Sequence, residues 1–317
     1  MRVLVTGAAG LLGRAVVPLL RERGHEVVTM DLRSRRGDDH HIAFDLRREQ
    51  PMMPYDAVVH LAGRRVSVAQ QHALAADLLL DNLAIDTNVF RAMRQFGVKR
   101  GVYASTVSVY PEEVRDQWGH GDYPPKSGYL EEHASEFPDD SVRFSAWGKL
   151  TAERAIEAMN LQDGSAISVV RLVNTYGPWD HFGEDALVIP ALIWRVLGGE
   201  RPLGVHGAAV ERDVLYVEDA ARGIVSALEA ERAGTWNIGT GVGTPIIDIA
   251  AEVLRACGVE PTVATLETRD GGSTGAVRKV VDPSKAKRDL GWEATVPLAE
   301  GVRRTVEWYR LNILGAS

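Results

Sequence analysis

Apolar residues in this chain recur as short unbroken runs separated by stretches with helical spacing. Residues 3–5 form the first run, and Thr6, Gly7, Gly10 and Gly13 break it before residues 11–20 open an amphipathic helix. Further runs fall at 26–30, ending on Asp31, and at 57–63, before a long helical stretch over 72–96. A run at 101–106, a helix through 149–159 and a run at 167–172 follow. This alternation predicts right-handed crossovers and a doubly wound parallel α/β sheet with helices on both faces. Ligands of such sheets sit at the carboxyl ends of the strands, so Gly63, Thr106 and Asn174 are expected to converge on one cleft.

After Asn174 the pattern loosens. The segment TYGPWDHFGED is rich in glycine, proline and aromatics, a helix spans 186–197 and stops at Gly198 and Gly199, and a last amphipathic helix covers 298–311. The expectation is a nucleotide-binding unit over 1–172 and a smaller substrate lobe over 173–317. The run at 235–239 is apolar enough to return to the main sheet, which predicts interleaving.

Chemistry concentrates at the first turn. A strand, a glycine turn and a helix N-terminus in that order let backbone approach a phosphate and offer it unpaired N–H groups at the positive end of the helix dipole. Asp31, ending the second run, stands where a carboxylate accepts from an adenosine ribose hydroxyl and repels a 2′-phosphate, which favours NAD over NADP. Arg33, Arg35 and Arg36 blur that preference.

Composition narrows the classes. Of 317 residues, 45% are hydrophobic and 25% charged, as in ordinary globular proteins, and the net charge of −7 gives no basic footprint for nucleic acid. A single cysteine, Cys257, forbids an internal disulfide, and no apolar run reaches membrane length; both fit a cytoplasmic protein. His40 and His41 are adjacent and would point to opposite sides of a strand, so no metal site is expected.

Several stretches together resemble the extended short-chain dehydrogenase/reductases of the nucleotide-sugar epimerase and dehydratase group. VTGAAGLLGR is similar to that family's cofactor loop, FDL at 44–46 to its adenine contact, and HLAG to its strand beside the cofactor. ASTVSVY at 104–110 resembles the active-site strand end, and VRLVNTYGP at 170–178 the stretch joining nicotinamide pocket to sugar site. ERDVLYVEDAA and DPSKAKRDLGW resemble signatures of the substrate lobe. The resemblance implies NAD contacts from Gly7, Gly10, Leu11, Leu12, Gly13, Asp31, Leu32, Arg33, Asp45, Leu46, Leu61, Ala62, Gly63, Asn82, Ala104, Lys149 and Val173. It implies a nucleotide-diphosphate sugar held by Thr106, Asn174, Arg212 and Arg278, with Arg269 a weaker addition. A homodimer through helices near 75–96 and 147–160 is implied as well.

In that family a tyrosine and a lysine four residues apart share one helix face, and the ammonium lowers the phenol pKa so that it takes a hydroxyl proton. Lys149 matches the lysine, but Ser145 stands where the tyrosine belongs. An aliphatic hydroxyl is too weak an acid for the exchange to be neutral. Another residue or a water then moves the proton, the reaction needs no such base, or redox catalysis is lost. Tyr110, Tyr129, Glu131, Glu132, His133 and His181 are candidate substitutes. Thr106 aligns with the Ser/Thr that bonds the reacting oxygen, and Val107 and Ser108 replace the acidic residues of dehydrating and decarboxylating members. The expected function is therefore NAD-dependent epimerisation of a nucleotide sugar through a transient keto intermediate. The alternatives are an NAD(P)H-dependent ketone reductase and a non-catalytic NAD-binding sensor.

Overall fold

The first apolar run forms β1 (Arg2–Thr6), and the glycine turn leads into α1 (Leu11–Glu22), as in the computed structural model of the chain, which describes residues 1–33, 37–51, 54–66, 70–71, 73–110, 143–269 and 278–315. There follow β2 (Glu26–Asp31), β3 (His41–Ala43), β4 (Ala57–His60), α2 (Ala75–Phe96) and β5 (Arg100–Thr106). The chain is described again from α3 (Arg143–Asp163), which leads to β6 (Ala166–Leu172) and β7 (Asn174–Tyr176). α2 begins at Ala75, three residues after the expected start at His72, which lies outside the described residues. It stops at Gly97, whose φ of +70° is the left-handed cap that a residue without Cβ adopts at little cost.

Beyond β7 come α4 (Val188–Leu197), β8 (Leu203–His206), β9 (Glu211–Arg212), β10 (Val214–Tyr216) and α5 (Val217–Glu229). β11 (Thr235–Ile238), β12 (Thr244–Pro245), α6 (Ile246–Ala256), β13 (Leu266–Arg269) and β14 (Arg278–Lys279) follow, and the chain closes with α7 (Ser284–Leu290) and α8 (Leu298–Tyr309). A π-helical turn, Arg310–Leu314, extends α8. α4 starts at Val188 rather than 186 because Leu187 is still extended, with ψ of 169°.

Seven strands form the main sheet in the order β11-β6-β5-β4-β1-β2-β3, every neighbouring pair parallel. It is the doubly wound α/β architecture that the alternation predicts. α1 and α5 cover one face through Val16, Val17, Leu20, Ile224, Val225 and Leu228, all buried with the sheet residues Val3, Val5 and Val59. α2 and α3 cover the other through Ile85, Val89, Phe90, Met93, Ile156 and Met159. A third core, with Ile193, Val196, Ile249, Val253, Val302 and Val306, knits α4, α6 and α8 into the lobe.

The crossing between the two units is abrupt. Only Val173 separates β6 in the main sheet from β7, which leaves it to pair with β10. β11 then returns to the main sheet beside β6. Among the described residues no helix is long and apolar enough to cross a membrane.

Candidate active site

The site starts where β1 ends. Gly7 has φ of +69°, and a Cβ there would fall 2.6 Å from the Ala62 backbone nitrogen; a Cβ on Gly13 would fall 2.5 Å from the Ala8 Cα. Glycine is thus required for the turn to lie flat on the strand ends. Gly10 caps α1 with no side-chain hydrogen bond, so the first-turn amides beside Leu11 and Leu12 are left for an external acceptor. Asp31, buried at the end of β2, braces the turn: its Oδ2 accepts the Ala9 N–H at 3.0 Å and its Oδ1 the Arg33 N–H at 2.9 Å. A carboxylate oxygen accepts more than one donor, so a ribose hydroxyl is still accommodated. Leu32 and Arg33 are exposed just beyond, and Arg35 and Arg36 lie outside the described residues.

Asp45 and Leu46 follow β3. The Arg47 guanidinium bonds Asp45 at 2.9 and 2.8 Å and holds its carboxyl down at about 2, while Leu46 is buried and its carbonyl accepts Asn88 Nδ2. Leu61 and Ala62 continue β4 above the turn. Asn82 on α2 is fixed by two bonds to the Arg64 backbone, accepting the N–H at 2.7 Å and donating to the carbonyl at 3.0 Å. Val173 is buried in the core beneath the crossing. A buried or uncapped cradle of this kind, with a carboxylate at the second strand end, fits NAD. The dinucleotide would lie on the glycine turn with Asp31 at one end and Lys149 at the other.

Lys149 occupies that other end. Its Nζ donates to the Ala104 carbonyl at 2.9 Å, lies 4.4 Å over the Tyr103 ring and stands 3.8 Å from where a Gly63 Cβ would project. Desolvation lowers its pKa below the ordinary lysine value, although Asp86 and Glu153 oppose the shift. Ser145 lies one turn earlier on α3, half-buried, with no hydrogen bond to Lys149. Thr106 ends β5, and its Oγ1 accepts the Ser108 N–H at 3.2 Å, which leaves its own proton to donate. Val107 is buried in the core, so neither position after Thr106 presents a carboxylate.

On the lobe side, Asn174 opens β7. Arg212 on β9 donates to the Glu211 carbonyl at 2.9 Å, and Arg278 on the neighbouring β14 donates to Glu211 Oε2 at 2.8 Å. The parallel register sets Lys279 beside Arg212, which gathers three cations on one small sheet. Arg269 on β13 instead pairs with Glu267 at 2.7 Å.

Tyr110 does not face the cleft. It is 2% exposed, donates to Asn237 Oδ1 at 2.6 Å and accepts Arg171 Nη1, because the turn after β5 folds it into the core. His181 is exposed and paired with Asp185 at 2.6 Å. Tyr129, Glu131, Glu132 and His133 lie outside the described residues.

Two buried networks and one partly exposed ion pair have no counterpart in the sequence reading. Beneath the cradle, His60 meets Thr6 Oγ1 at 2.7 Å and Asp86 Oδ1 at 3.0 Å, and the Tyr103 hydroxyl donates to Asp86 Oδ2 at 2.8 Å. Beside Lys149, Glu153 accepts Ser105 Oγ and both Nε and Nη2 of Arg171. Between the units, Arg65 reaches Asp180 at 2.8 Å, next to Trp179 with φ of +68°. Burial pushes the Asp180 pKa up, and its Oδ2 has no hydrogen-bond partner among the described residues. A helix-face spacing places Lys149 near Ser145, but no comparable signal links His60, Asp86 and Tyr103.

A model of the NAD dependent epimerase/dehydratase family matches residues 3–239, from β1 to the end of β11. This chain belongs to that family. The membership accounts for the glycine turn, Asp31 and Lys149 lying on one strand-end surface. Along its length the family member is similar to UDP-glucuronic acid decarboxylase 1 of Xenopus tropicalis, 28% identical in an alignment 336 positions long that covers 98% of this chain and 73% of that one. Among solved structures it is similar to UDP-glucose 4-epimerase from Thermotoga maritima with UDP-glucose, at 27% identity and a TM-score of 0.85 over 99% of this chain and 100% of that one. It is also similar to UDP-glucose 4-epimerase from Thermus thermophilus in complex with NAD, at 28% identity and a TM-score of 0.80 over 99% and 100% of the two chains.

Proposed function

We propose that this chain binds NAD and a nucleoside-diphosphate sugar and epimerises the sugar through a transient ketone. The observation that carries the reading is the position of Lys149 Nζ, between the Ala104 carbonyl and the Gly63 edge at the open end of a glycine cradle. Bound there, NAD supplies reversible oxidation of the sugar carbinol. Gly7, Gly10 and Gly13 let the chain approach the pyrophosphate, Asp31 takes the ribose, and Lys149 orients the nicotinamide end. Thr106, its oxygen already occupied by the Ser108 amide, donates to the reacting sugar oxygen. Asn174, Arg212 and Arg278 take the diphosphate, for which the guanidinium fork is suited.

Epimerisation is favoured over decarboxylation, despite the decarboxylase relatives, because Val107 and Ser108 supply no acid after Thr106. Calorimetry with NAD and NMR of mixtures containing UDP-glucose and related UDP-sugars test the reading together. The expected result is NAD binding that Asp31→Ala weakens by ~10-fold or more, the loss of one charge-assisted hydrogen bond, with interconversion of sugar epimers and no net NADH. Stoichiometric NADH consumption would identify a keto-sugar reductase instead. Ser145 favours a second reading, a non-catalytic NAD sensor: wild type and Lys149→Ala would then bind NAD and be equally inert. The protein is proposed to act in the cytoplasm as a homodimer through α2 and α3, where Leu80, Trp147 and Leu161 expose apolar side chains.

A further inference from the structure

Ser145 stands where the resemblance puts the phenol that exchanges the sugar hydroxyl proton, and the described residues at the strand ends leave few replacements. Tyr103 is fully buried and donates its hydroxyl hydrogen bond to Asp86; Tyr110 is spent on Asn237 and Arg171; His60 has both ring nitrogens engaged. The two carboxylates nearest Lys149 are also committed. Asp86 is held by His60 and Tyr103, and Glu153 by Arg171 and Ser105. Lys149 itself is different: among the described residues it forms no ion pair, and its Nζ makes one hydrogen bond, to the Ala104 carbonyl. Two of its three donor directions are left for ligand. Ser145, one turn before Lys149 on α3, carries a hydroxymethyl and no phenol.

We propose that the Lys149 amine is itself the proton-transfer group, with Tyr103, Asp86 and His60 as the positioning stack that holds it. The inference rests on the nucleotide-sugar reading given above. In the forward step the unprotonated amine takes the sugar hydroxyl proton: the O–H bond breaks, an N–H bond forms, and the oxygen electron pair closes the carbonyl. NAD held on the glycine turn would supply the acceptor for the hydrogen on that carbon and its bonding pair. In the return step the ammonium gives the proton back to the same oxygen, so atoms and electrons balance over the cycle.

The surroundings set the balance between amine and ammonium. The Tyr103 ring face from β5 and Asp86 from α2, with His60 from β4 behind it, favour the cation, as does Glu153 on α3, whose charge Arg171 from β6 largely neutralises. Desolvation works the other way and prevails. A lysine lowered in this manner holds a larger share of free amine at a given pH than an ordinary lysine does, which is what a general base needs.

The test separates holding a ribose from moving a proton. Lys149→Arg keeps a cation and its donors but does not titrate. Turnover is expected to fall in both Lys149→Arg and Lys149→Gln by ~10²–10⁴-fold, the range of general-base catalysis, while NAD still binds Lys149→Arg. Added methylamine or ethylamine should restore turnover in Lys149→Ala, with rates that follow amine basicity. Independently of activity, the Nζ resonance of the 15N-lysine-labelled protein, assigned by its loss in Lys149→Ala, should titrate below the ordinary lysine range. Asp86→Asn, which removes a charge favouring the ammonium, should move that titration further down.

Near wild-type turnover in Lys149→Arg with an unchanged pH profile would overturn the proposal and leave the nucleotide-sugar reading standing. So would an ordinary lysine titration, and the base would then be sought at Tyr129, Glu131, Glu132 or His133. A wild-type protein inert on every UDP-sugar yet showing the lowered titration and its Asp86→Asn shift would overturn the nucleotide-sugar reading, and the proton-transfer role with it.

Discussion

Gly7 concentrates the demands of the site on one residue. Its backbone is left-handed, and the space where a side chain would begin is filled by the Ala62 amide and the Leu61 carbonyl carbon. Backbone cannot step aside as a flexible side chain does. Gly7→Ala is therefore expected to lose about 1–3 kcal/mol of stability, the usual cost of a forced backbone conformation, measured by urea unfolding, and to lose NAD binding in calorimetry. Gly24→Ala serves as the control: it shares a positive φ, but nothing lies within 4 Å of its Cβ position, so it should lose less stability and keep the cofactor. Asp31 shows the complementary case, in which a residue serves the fold and the proposed ligand contact together. Its carboxylate pins the Ala9 amide, so replacing it disturbs the glycine turn as well as the proposed ribose contact.

At the scale of elements, α3 is fastened to the sheet by charge as well as by apolar packing. The Glu153–Arg171 pair joins helix to β6 with both side chains 7% exposed, and Ser105 on β5 completes the Glu153 shell. Removing one partner leaves the other charge buried without compensation. Arg171→Met alone is expected to cost about 3–5 kcal/mol, whereas Arg171→Met combined with Glu153→Leu should cost less than either single change. Denaturant unfolding of the three variants measures this directly. The consequence reaches the site because Lys149 is one turn before Glu153 on the same helix, so loosening α3 moves the ammonium as well.

In the whole molecule the main sheet carries the glycine turn at its strand ends, and the lobe gathers Arg212, Arg278 and Lys279 on one small sheet. The lobe is not appended at the end of the chain: it leaves after β6, and β11 comes back to the sheet edge. Arg65 and Asp180 tie the two parts across the opening. On the outer side of α2 and α3, Trp147 and Leu161 are two heptads apart and share a helix face, with Leu161 88% exposed. Light scattering is expected to give the mass of a dimer, and Leu161→Glu to shift it towards the monomer without loss of helical signal. A wild-type monomer at micromolar concentration would remove the dimer from the account.

The alternation of apolar runs and helical stretches determined the parallel sheet, because each period is a local property of consecutive residues. The glycine turn after β1, Asp31 at the end of β2 and Ser145 one turn before Lys149 on α3 were legible for the same reason: each is a short spacing along the chain. What only the tertiary structure decided is which distant groups meet around them. His60 finds Asp86 26 residues away, Glu153 finds Ser105 48 away, and Arg65 finds Asp180 115 away. Such pairs depend on strand order and helix placement, which bring side chains together without leaving a periodic trace, and packing then fixes a geometry that the isolated residues do not have.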